Sequence, residues 1–297
     1  MSNGRQAVGH PVDVGSGAVF TKRRDFALPG SLGLDWVRRY ATDCDENSWL
    51  GRGWTVPYFM RLERQIQGWM LTDEIGRQLL FPCGEDRFDD STVIAVLGAN
   101  MELQLHPAHV EILHWHVASD DVERFGFLLP ATAGEPMPLA WVENLAGHRI
   151  TIEHDERGRP CAIRQDLEQR VLRLGFDDRD LLTTVDIVDA VAGAKRLVRY
   201  EYDEDRRMTA SRDGLDHVCR YVYDGQHRLV QEVNPLGSSF HFRYDPTGRC
   251  IHTWGEDGYL ERRLAYRTTP PMTKVTDSLG AVTHYYLNPA GQVIQEG

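Results

Sequence analysis

The sequence predicts an all-β fold in which the second half of the chain is a curved sheet of repeated β-hairpins. Two interleaved series of turn residues and an alternating pattern of apolar residues lead to this prediction. In the first series, an aromatic residue precedes an acidic residue and a turn, at intervals of 21 to 26 residues. Such periods are typical of architectures in which each unit packs on its neighbours. The motif positions are Asp155, Asp177, Tyr202-Asp203, Tyr223-Asp224 and Tyr244-Asp245 with Gly248, followed by the degraded copies Tyr266-Arg267 and Leu287-Asn288.

A second series of glycines lies between these motifs, at Gly214, Gly237, Gly258 and Gly280. Two turns in each period of about 21 residues leave two extended segments of about six residues. Along one of them, Val198, Tyr200 and Tyr202 share a face opposite charged residues. Because a strand with one buried face alternates in this way, each repeat is predicted to be a hairpin that pairs with the next. About seven such repeats form a predicted domain over residues 146–297.

The aromatic-acidic motif is predicted to have a structural role. The ring would supply buried area beside its counterpart on the following hairpin, and the acid would accept backbone N–H groups in the turn. Binding of calcium or sugars by the acids is the alternative, which their recurrence at every turn disfavours.

Residues 1–145 are predicted to form a separate N-terminal β-rich domain. Glycines separate short apolar segments there, and residues 62–66, 69–72 and 77–81 have the pattern of consecutive hairpin strands. Residues 140–145 show a faint helical pattern.

The composition disfavours several functional classes. The net charge of −11 disfavours nonspecific binding to nucleic acid or anionic membranes. The five cysteines lack CxxC spacing, which favours neither a zinc site nor a disulfide framework. Residues 1–17 lack the apolar segment of a Sec signal peptide, and no window contains the roughly 18 apolar residues of a membrane span. Synthesis in a reducing cytoplasm is therefore expected.

Residues 1–40 differ from the rest, with six basic and three acidic residues. We expect these charges to lie on a solvated strand face. A docking surface for another part of a longer polypeptide is the alternative.

Residues suited to catalysis are present but do not form a recognisable motif. The histidines His106, His109, His114 and His116 cluster, and the last two would share one strand face and could bind a metal ion. No further ligand has a recognisable spacing, so an ordinary alternating strand is favoured. Ser16 and Ser31 lie in glycine-flanked turns without a nucleophile-elbow pattern. We predict no catalytic residue, no cofactor and no metal.

Four N-terminal phrases, followed by the repeats, resemble the Rhs/YD-repeat family over essentially the whole chain. His10 departs from the acidic or amide residue that the family has at the second place of the first phrase. The phrases are residues 9–17 (Gly9, Pro11, Asp13, Gly17), residues 25–30 (Pro29, Gly30), residues 34–40 (Trp36, Arg38, Tyr40) and residues 50–54 (Gly51, Gly53, Trp54).

This resemblance implies a structural, non-catalytic scaffold. In such proteins the repeats form a hollow β-shell that encloses a C-terminal toxin domain, and the bacterial members are associated with type VI secretion. The implied partners are an enclosed toxin or the rest of a longer Rhs polypeptide, together with secretion proteins. The resemblance also implies synthesis in a bacterial cytoplasm and export without a Sec signal. Because about seven repeats cannot close a shell, the chain is expected to be truncated, with an unpaired sheet edge after its last strand.

A carbohydrate-binding or adhesion module on the same β-scaffold is the main alternative. Sugars stack on exposed aromatic rings, and Tyr200, Tyr221 and Tyr285 are the candidate rings. A small free-standing enzyme on a β-scaffold is a third possibility, which no motif favours.

Overall fold

A computed structural model describes residues 5–83, 93–96, 99–116, 121–129, 134–189 and 193–297. Regular structure within these residues is β, apart from the short 3-10 helices η1 (Pro57–Phe59) and η2 (Glu256–Gly258). No helix in the described segments is long and apolar enough to cross a membrane. The all-β prediction is confirmed.

Seven short or medium strands form the N-terminal part of the chain. They are β1 (Ala7–Val8), β2 (Val12–Asp13), β3 (Phe20–Leu28), β4 (Leu34–Ala41), β5 (Asn47–Ser48), β6 (Gly51–Arg52) and β7 (Trp54–Thr55). The strands β3, β4 and β7 make one three-stranded antiparallel sheet, and β1–β2 and β5–β6 make two small hairpins. We refer to residues 7–60 as the N-terminal segment.

The remaining 22 strands join into one large antiparallel sheet. Its first half contains β8 (Arg61–Gln65), β9 (Gly68–Thr72), β10 (Gln78–Pro82), β11 (Val93–Val96), β12 (Met101–Leu105), β13 (His109–His116), β14 (Asp121–Leu128), β15 (Met137–Asn144), β16 (Arg149–His154), β17 (Pro160–Gln165) and β18 (Arg170–Phe176). Its second half contains β19 (Leu182–Asp189), β20 (Gly193–Tyr202), β21 (Met208–Asp213), β22 (Val218–Tyr223), β23 (Leu229–Val233), β24 (Ser239–Tyr244), β25 (Cys250–Gly255), β26 (Arg262–Thr268), β27 (Pro271–Asp277), β28 (Val282–Leu287) and β29 (Val293–Glu296).

Strand β15 connects the beginning of this sheet to the repeats. It pairs with β14 along one edge, and with both β16 and β8 along the other. The sheet is closed as a barrel, and the β15–β8 pairing is additional to its strand order. Because β15 and β16 pair directly, the sheet is continuous across residue 145, and a domain boundary at that position remains a prediction.

Two local predictions for the N-terminal half have different outcomes. The hairpins expected in residues 62–81 are present as β8, β9 and β10, with Gly68 opening the second strand instead of completing the turn. The helical pattern at residues 140–145 is wrong, because this segment belongs to β15. Leu139 through Glu143 are buried without alternation, and periodicity cannot distinguish such a run from a helix.

Each predicted repeat is a hairpin, and successive hairpins pair edge to edge. Each of the strands β16 to β28 pairs with its sequence neighbours, for example β22 with β23 and β23 with β24. We call the face that carries the alternating buried residues, such as Tyr200 and Phe242, the inner face. The N-terminal segment packs on the inner face, and one hydrophobic core joins the two.

Candidate functional site

One face of strand β4 packs against the repeat hairpins. Its even-numbered side chains Leu34, Trp36, Arg38 and Tyr40 are buried. Nε1 of Trp36 donates a hydrogen bond to the hydroxyl of Tyr200 at 2.7 Å. The hydroxyl of Tyr40 accepts the backbone N–H of Leu229 at 3.0 Å, so this face contacts two successive hairpins, β20–β21 and β22–β23.

A buried ion pair lies at the centre of this contact. The guanidinium of Arg38 is fully buried and binds both oxygens of Asp25, at 2.6 and 2.8 Å. Its Nη2 also donates to Oγ of Ser211 at 2.8 Å, and the group lies 5.0 Å from the ring centre of Trp54. Tyr200 donates its hydroxyl proton to Asp25 at 2.5 Å. The buried charges are thus paired and hydrogen-bonded across the contact, as desolvated ions require.

Burial and charge act in opposite directions on this pair. Burial disfavours the charged guanidinium, but Asp25, Tyr221 and Tyr200 together outweigh it and raise the pKa of Arg38 well above its usual value. Burial, followed by the charge of Asp25, raises the pKa of Tyr200. Arg38 is therefore charged and Tyr200 is protonated at neutral pH.

The phrase at residues 50–54 contacts the neighbouring hairpins. Nε1 of Trp54 donates to the hydroxyl of Tyr223 at 2.9 Å. Gly51 has a φ of +87°, and a Cβ atom there would lie 2.3 Å from the carbonyl oxygen of Arg206. Only glycine suits both this backbone conformation and this approach.

The phrase at residues 9–17 contacts later hairpins. The ring of His10 stacks on Phe240 at 3.6 Å, and its Nε2 lies 3.4 Å from the buried carboxylate of Glu232. The carbonyl of Gly17 accepts the backbone N–H of Cys250 at 2.8 Å. The hydroxyl of Thr273, on β27, donates to the backbone carbonyl of Val14. These contacts extend the interface to β27.

The basic residues of the N-terminal segment do not all lie on a solvated face. Arg38 is buried, and Arg23 binds the buried Glu232 at 2.8 Å. Arg24 does lie in solvent, paired with Asp35. The solvated-face expectation is therefore wrong for Arg23, which binds Glu232 of the repeat sheet, and for Arg38, which binds Asp25 of β3 beneath that sheet.

The remaining residues of the N-terminal phrases hold turns or pack closely. Asp13 accepts the N–H groups of Gly15 and Ser16. The other positions are Pro11, whose carbonyl accepts the N–H of Phe20; Pro29, whose carbonyl accepts from Arg170; Gly30, which lies against Glu168 and Gln165; Gly9, against Thr253; Gly17, against Arg249; and Gly53, against Tyr40.

The aromatic-acidic motifs form one rim of the repeat sheet, which we call the tyrosine rim. In each turn the Asp side chain accepts the backbone N–H groups of the second and fourth following residues, as the pattern predicted. For Asp224 these are Gln226 and Arg228, both at 2.9 Å. The same pair of bonds occurs at Asp155, Asp177, Asp203 and Asp245, and at the degraded motif Asn288. Gly248 provides the left-handed fourth position of the turn in its repeat.

Arginines connect these turns to one another. Arg228 binds Asp224 of its own turn at 2.7 Å, and its guanidinium stacks 4.5 Å from the ring of Tyr244 in the next turn. The hydroxyl of Tyr244 donates to the carbonyl of Leu229. Arg159, Arg207 and Arg249 stack in the same way on Phe176, Tyr223 and Tyr266. The sequence interpretation placed a second ring beside each ring and missed these arginines, although all four lie four residues after the motif acid.

The opposite rim uses similar turns with different side chains, and we call it the leucine rim. Asn234 accepts two backbone N–H groups, at 2.9 and 3.1 Å, as Asp213 and Asp277 also do. Several turns of this rim project a leucine into solvent: Leu145, Leu167, Leu215, Leu236 and Leu279. Of the predicted glycines, Gly237, Gly258 and Gly280 have positive φ, whereas Asp216 takes that conformation in place of Gly214.

The rings proposed for carbohydrate stacking are buried, so that prediction is wrong. Tyr200 and Tyr221 are each 2% exposed and Tyr285 is 6% exposed. Their strands alternate as predicted, but these three rings lie on the buried side of the sheet. Ser16 and Ser31 also serve the structure: Ser16 donates to Asp13, and the N–H of Ser31 donates to Glu168.

The four clustered histidines fall into two groups, each with a carboxylate. His106 and His109 lie beside Glu111, while His114 and His116 lie beside Glu123. The second group lines a cavity of about 520 Å³ that the odd-numbered face of β4 covers from the other side. Burial, followed by the charge of His116, lowers the pKa of His114.

Comparison with known proteins agrees with the repeat geometry. A family model described as "RHS Repeat" matches residues 223–255, and one described as "Domain of unknown function (DUF6531)" matches residues 9–81. These matches confirm the resemblance to the Rhs/YD-repeat family. The first match falls on the hairpins that carry the tyrosine rim, and the second contains all four N-terminal phrases.

Several Rhs relatives match over most of this chain. "Probable deoxyribonuclease RhsA" of Dickeya dadantii (strain 3937) is 26% identical over 284 residues, which cover 94% of this chain and 19% of the relative. "Double-stranded DNA deaminase toxin A" of Burkholderia cenocepacia (strain H111) is 27% identical, with 84% and 19% covered. "Toxin protein Tse5" of Pseudomonas aeruginosa is 26% identical, with 94% and 24% covered. The chain thus spans about a fifth of the length of these relatives.

Among solved structures, the chain is similar to the crystal structure of TcdB2-TccC3. The TM-score is 0.34 at 12% sequence identity, with 95% of this chain and 20% of that chain covered.

Proposed function

We propose that this Rhs chain is a wall segment of a toxin-delivery scaffold and that it has no catalytic activity of its own. The observation that supports this best is the contact between the N-terminal segment and the inner face. Contacts run from Gln165, which donates to a carbonyl of the segment at 3.0 Å, to Thr273. The polar side chains of Trp36, Arg38 and Trp54 form hydrogen bonds that hold the segment on the sheet.

The proposed cargo is a toxin carried by the rest of a longer Rhs polypeptide. The relatives bear the names of a deoxyribonuclease, a deaminase toxin and a toxin, and about four fifths of their length lies outside the match. In this proposal the wall segment is made in the bacterial cytoplasm and leaves with its cargo without a Sec signal. Secretion proteins are the further proposed partners.

Protease protection of the complete natural polypeptide tests the scaffold role. Wild-type protein should protect its downstream region, whereas Arg38→Ala should expose that region because Asp25 loses its buried partner. The loss of a buried ion-pair partner costs about 3–5 kcal/mol. Arg24→Ala is the matched control, since that arginine is exposed on the same segment. Equal protection in wild type and Arg38→Ala would count against the proposal.

A second experiment addresses the absence of catalysis. Expression of this chain in the bacterial cytoplasm should leave growth unchanged, while the longer polypeptide should inhibit it. Growth inhibition by this chain would overturn the non-catalytic assignment. An immunoblot of native cells with an antibody against residues 1–150 should show a band far above 33.9 kDa. A single band near that mass would instead direct the search to a separate partner protein.

A further inference from the structure

The side chains of His114, His116 and Glu123 converge in the cavity beneath β4. On β13, both histidines lie on the same side of the strand as the fully buried Val110 and Ile112. On β14, Glu123 is the register partner of His114, so its side chain emerges on the same face. Three potential ligands from two paired strands therefore point into one space.

Their mutual distances suit a single ion. The ligand atoms all lie within 4.8 Å of one another, and Nε2 of His116 is 2.9 Å from Oε2 of Glu123. A tetrahedral Zn²⁺ with bonds of about 2.0–2.1 Å holds its ligand atoms about 3.3 Å apart. The ligand atoms therefore need to approach one another by at most about 1.5 Å to bind one ion.

The charge environment distinguishes this group from the other histidine group. In the group of His106 and His109, the carboxylate of Glu111 is already paired with Arg124 at 2.6 Å. For Glu123, no arginine or lysine within the described residues forms an ion pair with the carboxylate; its ion-pair partner there is His116. A cation can thus be the charge partner of Glu123 without displacing an arginine.

We propose that His114, His116 and Glu123 bind a divalent transition-metal ion of the zinc type, with one coordination position open to the cavity. Two imidazole nitrogens and one carboxylate oxygen are ligands that such ions accept. The cavity, about 520 Å³ in volume, has room for water at the open position. This inference does not depend on the proposed scaffold role.

Cobalt titration of the untagged, EDTA-treated full chain tests this proposal. Co²⁺ should produce visible absorption bands that saturate at one equivalent, and Zn²⁺ should abolish them. The double variant His114→Gln with His116→Gln should bind Co²⁺ about 100-fold or more weakly, because loss of supporting groups alone weakens metal sites by 10- to 100-fold. The double variant His106→Gln with His109→Gln is the matched control and should bind like wild type.

Two further measurements keep the result independent of folding defects. Circular dichroism should show the same β content in both double variants, and Glu123→Gln, which preserves side-chain volume, should also lose the absorption bands. Zn²⁺ should raise the melting temperature of wild type and of the control, but not that of Glu123→Gln. The proposal is overturned if wild type shows no Co²⁺ bands, or if the control variant loses them as fully as the His114/His116 variant does.

Discussion

The two rims of the repeat sheet use the same backbone turn but different side chains around it. On both rims an Asp or Asn side chain accepts two backbone N–H groups, as at Asp224 and Asn234 on either end of β23. On the tyrosine rim an arginine then joins the acid to the ring of the next turn. On the leucine rim the corresponding turns project leucines into solvent, and Leu236 is 91% exposed.

The comparison of the two rims separates two roles of the aromatic-acidic motif: closing one hairpin and joining it to the next. The capped turn closes a single hairpin, because it satisfies N–H groups that the strand ladder leaves unpaired. The arginine and the tyrosine act between hairpins, since each bridges one turn to the next. We infer that the aromatic-acidic motif stabilises the stacking of repeats, whereas the leucine rim contributes closure alone.

The largest expected difference between the rims concerns the large side chains themselves. Tyr244→Ala should lower the free energy of unfolding by about 2–4 kcal/mol, because it removes a ring packed on the core and its hydrogen bond to Leu229. Leu279→Ala should change it by less than about 0.5 kcal/mol, since that side chain is 91% exposed. Urea unfolding of the two variants measures both values, and similar losses would remove the distinction between the rims.

A second test compares the capping residues at the two ends of β23. Asp224→Ala should cost about 2–3 kcal/mol, because two backbone N–H groups and Arg228 lose their acceptor. Asn234→Ala should cost about 1 kcal/mol, since only the two N–H groups are affected.

Asp224→Asn is the control for this pair. It keeps both backbone hydrogen bonds and loses only the charge that binds Arg228, so its unfolding midpoint should lie between wild type and Asp224→Ala. A midpoint equal to that of Asp224→Ala would mean that the ion pair, and not the turn, accounts for the effect.

The hairpins and their capped turns could be predicted from sequence because both are local. Period-two alternation and the turn chemistry of Asp and Asn act within a few residues. The burial of Tyr221 and Tyr285, and the identity of the residues that cover Tyr200, could not be predicted as easily. For Tyr200 and Tyr221, the covering residues Trp36 and Arg38 are more than 160 positions away in the chain. Alternation distinguishes the two faces of a strand, but which face is exposed to solvent depends on the segments that pack on the sheet.

The histidine group illustrates the same limit. The pattern placed His114 and His116 on one face, and that was enough to consider a metal. The third candidate ligand, Glu123, comes from strand register, which pairs it with His114 across a connection that spacing alone does not specify. Tertiary pairing therefore supplied the residue that the sequence interpretation lacked.

A smaller effect should appear as pH dependence on the tyrosine rim. Although burial opposes it, hydrogen bonds from Thr247 and Arg249 lower the pKa of Asp245 to about 2. The folded-state pKa thus lies below the unfolded value of about 3.9. Ionised Asp245 stabilises the fold above that unfolded pKa, and the contribution is lost as pH falls towards about 2.

Asp245→Asn isolates this contribution because the amide keeps the turn but does not titrate. Urea midpoints measured between pH 5 and pH 2.5 should fall less steeply for Asp245→Asn than for wild type. Asn234→Asp should introduce the opposite change on the leucine rim, because it gives that turn a capping residue that titrates. Parallel pH profiles for wild type and Asp245→Asn would show that other carboxylates dominate the acid response.

The smallest expected effect concerns the leucine rim itself. Replacing Leu215, Leu236 and Leu279 together with glutamine should change the free energy of unfolding by less than about 1 kcal/mol, because exposed side chains away from special features contribute little. Leu215 and Leu236 lie two strands apart, or about 10 Å, and Leu279 lies four strands beyond Leu236, so the replacement also removes three exposed apolar side chains from one rim. Sedimentation at increasing concentration should therefore show less self-association for the triple variant than for wild type. A clear loss of stability would instead mean that these leucines are covered in solution, and the two rims would then both take part in packing.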